Sequence, residues 1–370
     1  MALAGLPEAV LPVMIASCFF CMGICTLLQT TIGNRLPLVQ GPSSALVSSM
    51  GSVTAAYGMP AMWGAVIIGG LIEGVVGAAR LMSKIRKLIP PVVVGSVVAA
   101  IGFVAAKLAV SWAFSSSDPL LLGMALGSFV LCLIFKFKGK GLLSQGFILI
   151  TVLLVGVGNG TAVAVVGAAV LGGFTGYIGS MFESVGDYAA LCATCGETYR
   201  VKHIDKGIMA EGFGCAICAL FGSLPTTSYT QNIGIVAATG VASRRVTQVA
   251  AVLFLLYGLS PKLAALLAAI PRPIVGGVFL VSAAMIMFSG IEVIQSSEHN
   301  QRNTLVAGTT IGMSVMLPLF CSTTGAEWAA SLPKFLNLLV TSNVFIAVVC
   351  GIVLNLLLNV LLKEKKEEHV

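Results

Sequence analysis

Apolar runs of about 20 residues follow one another from one end of the chain to the other, each long enough to cross a hydrocarbon core of about 30 Å. Lipid admits two spanning structures in which every backbone polar group is satisfied, the helix and the closed barrel. These runs are long and show no period-2 alternation, so they predict helices. The predicted segments are Glu8–Thr30, Gly41–Ala55, Pro60–Met82, Pro90–Trp112, Pro119–Phe137, Leu142–Gly158 and Ala162–Cys192 in the first half. The second half continues with Lys206–Leu224, Tyr229–Gly240, Val246–Ile270, Ile274–Ile294, Thr304–Phe320 and Leu336–Leu362. The fold class is therefore an all-α polytopic membrane protein of about thirteen segments.

Two segments break the pattern. Gly41-Pro42-Ser43-Ser44 precedes one short helix, and Leu224-Pro225-Thr226-Thr227-Ser228-Tyr229-Thr230-Gln231-Asn232 leads into the other. Each half of the chain thus pairs a polar extended stretch with a short helix. Interrupted helices at corresponding places in two halves point to a transporter's solute site near the bilayer midplane. A broken helix exposes backbone amides and a positive dipole end where water is absent, and these can hold a polar solute.

Charge then orients the segments. Basic residues gather in alternate connections, among them Arg80/Lys84/Arg86/Lys87, Lys136/Lys138/Lys140, Arg200/Lys202/Lys206, Arg244/Arg245 and Lys363/Lys365/Lys366. The connections between them, such as Ser115–Asp118, are nearly bare of basic residues. The positive-inside rule makes the basic set and the C-terminus cytoplasmic, in a multi-pass protein of the inner cell membrane. With about thirteen crossings this leaves Met1 outside the cell, or one segment short of an even count. The formal net charge of +7 sits in these loops rather than in a groove, which argues against a nucleic-acid partner.

Only 9% of the residues are charged, so carboxylates inside the apolar runs stand out. Glu183 and Asp187, four apart, share one helix face, and Glu211 lies within the next helix. Glu183 is the candidate for holding a hydrogen-bonding solute, with Asp187 or Glu211 carrying a proton. Gln231 and Asn232 place amide donors and acceptors at the start of a broken helix, suited to a planar solute edged with N–H and C=O groups. Glu73, flanked by small residues, reads as structural. The spacings Cys18/Cys21, Cys192/Cys195 and Cys215/Cys218 fall in helical stretches without a histidine, and they read as packing rather than a metal or redox site. No metal or cofactor is expected. An intramembrane enzyme would need a nucleophile–base pair or a metal set, which His203, His299 and His369 do not supply. An anion carrier would want a cation beside the two short segments, and none is there.

At these same residues the chain resembles the nucleobase–ascorbate transporter family, also called nucleobase:cation symporter-2 and including the xanthine/uracil permeases. Its signature is matched by Gln231-Asn232-Ile233-Gly234, four residues, then Thr239-Gly240; a second motif stands as Glu183-Ser184-Val185-Gly186-Asp187-Tyr188 and a third as Gln40-Gly41-Pro42-Ser43. The resemblance implies two inverted repeats of seven segments, divided into core and gate domains. Residues 1–86 and 161–270 would then form the core, 87–160 and 271–362 the gate, and 363–370 a charged cytoplasmic tail. It further implies a homodimer that imports a purine nucleobase such as xanthine or urate by symport with H+. Glu183 and Gln231 would hold the base, backbone near Ser44 and Thr230 would frame it, and Asp187 and Glu211 would serve proton coupling. Alternatives are a carrier of uracil or another nucleobase, or a truncated partner subunit that does not transport. Three departures accompany the match. The family's first segment has no counterpart, Ser44 stands where an aromatic is usual, and Glu211 replaces the more usual Asp.

Overall fold

The computed structural model describes residues 11–85, 90–138, 167–260 and 272–362, together with residues 262, 264 and 270. The predicted segment Leu142–Gly158, the start of the following one at Ala162 and the tail 363–370 lie outside the described residues.

The first half runs α1 (Leu11–Thr31), β1 (Gln40–Pro42), α2 (Ser44–Tyr57), α3 (Met59–Ala78), α4 (Leu81–Ile85), α5 (Pro91–Ala113) and α6 (Pro119–Lys138). It resumes with α7 (Gly167–Thr194), α8 (Val201–Leu220), β2 (Thr226–Ser228), α9 (Thr230–Thr239), α10 (Arg244–Gly258) and α11 (Arg272–Gln295). The chain then forms α12 (Gln301–Ser322), α13 (Ala326–Ser331), α14 (Lys334–Val340) and α15 (Asn343–Asn355), which ends in a π-helical turn at Leu356–Leu361. Six described helices are long and apolar enough to cross a membrane, α1, α3, α5, α11, α12 and α15 with its π turn. Their outer faces carry large exposed apolar side chains such as Val110, Phe288 and Met316, which suits contact with acyl chains.

Two differences from the sequence expectation have local causes. The expected single run Leu336–Leu362 is broken at Thr341–Ser342, where Thr341 caps α14 and the Ser342 hydroxyl accepts from Phe345 N (3.3 Å) to start α15. The helix expected from Lys206 begins five residues earlier, at Val201, with His203 Nδ1 accepting from Arg200 N at its first turn (3.3 Å).

Two groups of helices pack internally. In one, α3 lies against α7 and α8, α1 against α8 and α10, and α2 against α7; in the other, α5 lies against α11, α12 and α15, and α6 against α11. Between helices in lipid the hydrophobic effect supplies little, so close approach of backbones must do the holding. Small residues permit it. A methyl group on Gly212 would fall 2.2 Å from Gly74 N, and one on Gly290 would fall 2.2 Å from Ala99 N. The first contact joins α8 to α3 and the second joins α11 to α5.

The polar stretches that interrupt the pattern form a two-stranded antiparallel ribbon, with Gln40 opposite Ser228, Gly41 opposite Thr227 and Pro42 opposite Thr226. Ribbon residues Gln40, Thr226, Thr227 and Ser228 are buried, so their backbone groups need partners. Gln40 N donates to Thr26 Oγ1 (2.9 Å), Ser43 N to Pro225 O (3.1 Å) and Tyr229 N to Val39 O (3.1 Å). α2 and α9 begin where the strands end, at opposite ends of the antiparallel ribbon. α9 stops after ten residues at Gly240, whose φ of 67° is the left-handed cap that glycine adopts without a Cβ clash.

Candidate functional site

The hydrogen-bonding side chains of α7, α8 and the ribbon meet behind the strands. The i, i+4 pair on α7 presents Asp187 below Glu183, and Asp187 accepts Ser228 Oγ (2.7 Å) on Oδ2 and Thr230 Oγ1 (2.9 Å) on Oδ1. Glu211 on α8 is reached by four hydroxyls: Ser184 (2.7 Å), Thr227 (2.9 Å), Tyr188 (2.9 Å) and Ser180 (3.2 Å). Ser228 Oγ lies 2.9 Å from Ser184 Oγ, so a chain Asp187–Ser228–Ser184–Glu211 links the two carboxylates. Gln29 of α1 extends it, its Nε2 donating to Tyr188 OH (2.8 Å).

Each serine hydroxyl has one proton. When both carboxylates are charged, Ser228 donates to Asp187 and Ser184 to Glu211, and the contact between the two serines holds no proton. If Asp187 carries a proton it can donate to Ser228, which turns to Ser184, which still donates to Glu211. Proton hops along that chain, Asp187 to Ser228, Ser228 to Ser184 and Ser184 to Glu211, would leave Asp187 charged, Glu211 protonated and both serines neutral, without moving a helix.

In front of the ribbon lies a cavity of about 290 Å3 lined by Pro42, Glu183, Thr227, Tyr229, Gln231, Phe279, Ser282 and Ile286. It sits between the ribbon and α11, at the meeting of the two helix groups. Glu183 is 6% exposed and its Oε2 has no hydrogen-bond partner among the described residues. A buried carboxylate oxygen without a partner is costly, and a solute N–H in the cavity would satisfy it. Gln231 adds an amide with both a donor and an acceptor. Among the described residues no cation lines the cavity.

The residues singled out in the sequence divide on placement. Glu183 and Gln231 line the cavity together. Thr230, Asp187 and Glu211 belong to the hydroxyl network behind it. Asn232 donates from Nδ2 to Pro37 O (2.7 Å), so its amide braces the segment that leads into β1. Ser44 opens α2, and its side chain lies outside the described residues. Glu73 is fully buried beside the α3–α8 crossing, with neither carboxylate oxygen partnered among the described residues.

The sequence pattern gives no sign of Tyr229, Phe279 and Ser282 as lining residues. Tyr229 lies inside the second polar stretch, but its role is spatial: a Cβ on Gly41 would meet the Tyr229 ring at 2.3 Å, so glycine there leaves room for the ring. Phe279 and Ser282 stand on α11, an apolar helix whose pattern marks no face as special. Phe279 packs against Trp112, ring centroids 5.7 Å apart. The cavity thus has aromatic walls although Ser44 is not aromatic.

Cys21, Cys215 and Cys218 are buried between helices, whereas Cys192 Sγ lies 3.4 Å from His203 Nδ1 and Cys195 is part-exposed at the end of α7. Cys25 and Cys218 approach to 3.4 Å between sulfurs, and Cys215 Sγ donates to Thr226 O (3.0 Å). Among the described residues no group of three or more His, Cys, Asp or Glu side chains is placed to hold a metal ion.

Comparison with known proteins places this architecture. The Permease family model for Xan_ur_permease matches residues 1–167 and 112–323. The uric acid permease PucK of Bacillus subtilis (strain 168) is 33% identical, over 88% of this chain and 84% of its own length. The uric acid transporter UacT of Escherichia coli (strain K12) is 28% identical over 96% of this chain and 80% of its own, and the xanthine permease of Bacillus subtilis (strain 168) 28% over 99% and 90%. Among solved structures, the transmembrane domain of the cyanobacterial bicarbonate transporter BicA superposes with a TM-score of 0.65 at 16% identity, covering 87% of this chain and 94% of that one. At that identity the likeness concerns the fold alone, that of a polytopic membrane protein. The chain is a multi-pass membrane protein that belongs to the Xan_ur_permease family of permeases.

Proposed function

We propose that this protein is a secondary active transporter of a purine nucleobase, xanthine or urate, working by symport with H+. One observation carries the reading: Glu183 and Gln231 face a single cavity, and Glu183 Oε2 has no protein partner there among the described residues. A purine is flat and edged with N–H and C=O groups. Its edge pairs with the carboxylate and the amide while its faces meet Tyr229 and Phe279. The relatives named for uric acid and xanthine support the same solute class. A lining with a carboxylate and no cation does not favour a small inorganic anion.

Transport follows from where the cavity lies. α3, α7, α8 and the ribbon form a core; α5, α6, α11, α12 and α15 form a gate, in line with core parts at 1–86 and 161–270 and gate parts at 87–160 and 271–362. The base sits between them, so movement of core against gate exposes it to one side and then the other. Protonation at Asp187 or Glu211 removes a buried charge and resets the hydroxyl chain described above, which lets the loaded core move. Two inverted repeats of seven segments, a homodimer, an inner-membrane location and a cytoplasmic C-terminus complete the proposal.

The test is equilibrium binding to purified protein, read as a rise in the thermal unfolding midpoint with added xanthine, urate or uracil. The reading expects xanthine or urate to stabilise the wild type and not the Gln231→Ala variant. Stabilisation by uracil alone, or equal stabilisation of wild type and variant by xanthine, would count against it.

A further inference from the structure

A second cavity, about 570 Å3, opens at the face where α1 ends and α8 and α10 begin. Glu183 and Gln231 are not in it, and among the described residues no Phe, Tyr or Trp lines it. Its charge is lopsided. Arg35, Lys202, Lys206, Arg244 and Arg245 line it against a single carboxylate among the described residues, Glu197. Among the described residues no ion pair joins any of these five cations to an acid.

Three further features are set for an anion. α8, of 20 residues, and α10, of 15, both start at this cavity, and Ser243 at the start of α10 makes no side-chain cap, so two positive helix ends face it. Arg35 holds the left-handed conformation, φ 62°, and its Nε donates to Thr31 O (2.9 Å), which leaves the two terminal nitrogens for another partner. Asn34 is 4% exposed and lines the same cavity. Its Oδ1 accepts from Leu36 N (3.0 Å), and its Nδ2 is buried without a partner among the described residues. A buried amide donor left unpaired costs free energy that a ligand oxygen would recover.

We propose that this cavity binds a phosphate-bearing anion, supplied either by the headgroup of an anionic phospholipid or by a soluble phosphate compound. Several cations against one acid call for a multivalent anion rather than a single carboxylate. Arginine forks match phosphate oxygens two at a time, with the Asn34 amide as a further donor. A neutral purine would gain little from such a lining.

Full-length protein in phosphatidylcholine nanodiscs allows the two sources to be separated. In one arm, pyrophosphate and inorganic phosphate are titrated and the thermal unfolding midpoint is read, with sodium chloride at matched ionic strength as reference. In the other arm, phosphatidylglycerol is included and retained lipid is counted by native mass spectrometry. The proposal expects a saturable response in at least one arm. Arg245→Gln and Lys202→Gln, both at exposed positions where folding does not depend on the side chain, should each weaken it about tenfold. A response to the soluble compounds assigns the ligand to a free phosphate, and retention of phosphatidylglycerol assigns it to lipid. No saturable response in either arm, or a response undiminished in the Arg245→Gln/Lys202→Gln double variant, overturns the proposal. Neither readout uses a purine, so failure here leaves the transport reading standing on its own test.

Discussion

Glu183 and Glu211 are both buried glutamates, yet their surroundings differ. Glu211 is surrounded by hydroxyl donors from α7 and the ribbon, whereas Glu183 Oε2 has none among the described residues. In the proposed mechanism the first holds charge or proton without help, and the second takes a donor from the solute. Glu211→Gln should therefore leave purine binding within about threefold of wild type, because the cavity wall is unchanged, while net uptake falls at least tenfold. Measuring both on one preparation checks the split; equal loss of both would place Glu211 in binding instead. Asp187→Asn should flatten the pH dependence of uptake, since a carboxamide carries no titrating proton, while its single oxygen keeps one of the two hydroxyl donors, Ser228 or Thr230, and its NH2 can donate to the other. A pH profile unchanged from wild type would remove Asp187 from the coupling path.

Much of this residue-level chemistry is legible in the amino-acid sequence. The i, i+4 spacing of Glu183 and Asp187 announces a shared face, and carboxylates in apolar runs are costly enough to need a reason. Gln231 stands out by its place at a broken helix. Its neighbour Asn232 stands out equally, because both are amides at one helix start. Only the direction of each side chain divides them, one into the cavity and one to Pro37 O. Phe279 and Ser282 are invisible in the sequence for a related reason, since their part in the site comes from how α11 faces the ribbon.

Among the elements, the ribbon is the part most exposed to failure, because it is extended backbone among membrane helices. Thr26 on α1 supplies the acceptor for Gln40 N, and the register of β1 against β2 starts from that end. Thr26→Val keeps the shape and removes the oxygen, so it should cost about 1–3 kcal/mol in unfolding free energy, with Thr26→Ser close to wild type. An unfolding curve for Thr26→Val that superposes on wild type would show that the ribbon does not depend on this contact. The α3–α8 crossing admits a sharper comparison. Gly212→Leu puts a side chain into the Gly74 backbone and should abolish folded protein, whereas at exposed Gly123 on α6 an added Cβ meets nothing within 4 Å, so Gly123→Leu should be neutral. Fluorescence-detected gel filtration of the two variants distinguishes them. Hydropathy alone places most segment boundaries to within a few residues. It does not reveal the break at Thr341–Ser342, since a threonine and a serine between leucine-rich runs do not interrupt an apolar window.

For the whole molecule, the cavity lies at the meeting of two helix groups, and in the proposed scheme this makes a carrier of what could otherwise be a static binding pocket. Movement between the groups depends on a proton in the proposed scheme, so accumulation of purine above its external level should collapse when a protonophore is added and persist when sodium is omitted. Accumulation that survives the protonophore and needs sodium would replace H+ as the coupling ion without altering the site. The most direct test of the central claim, that Glu183 holds a purine in this cavity, is uptake of labelled xanthine and urate in cells lacking their own carriers. It is made with wild type and Glu183→Gln at equal membrane levels. The account predicts saturable uptake of at least one of the two bases by wild type and at least a tenfold loss in the variant. Undiminished uptake by Glu183→Gln, or uptake of neither base by wild type, would contradict it.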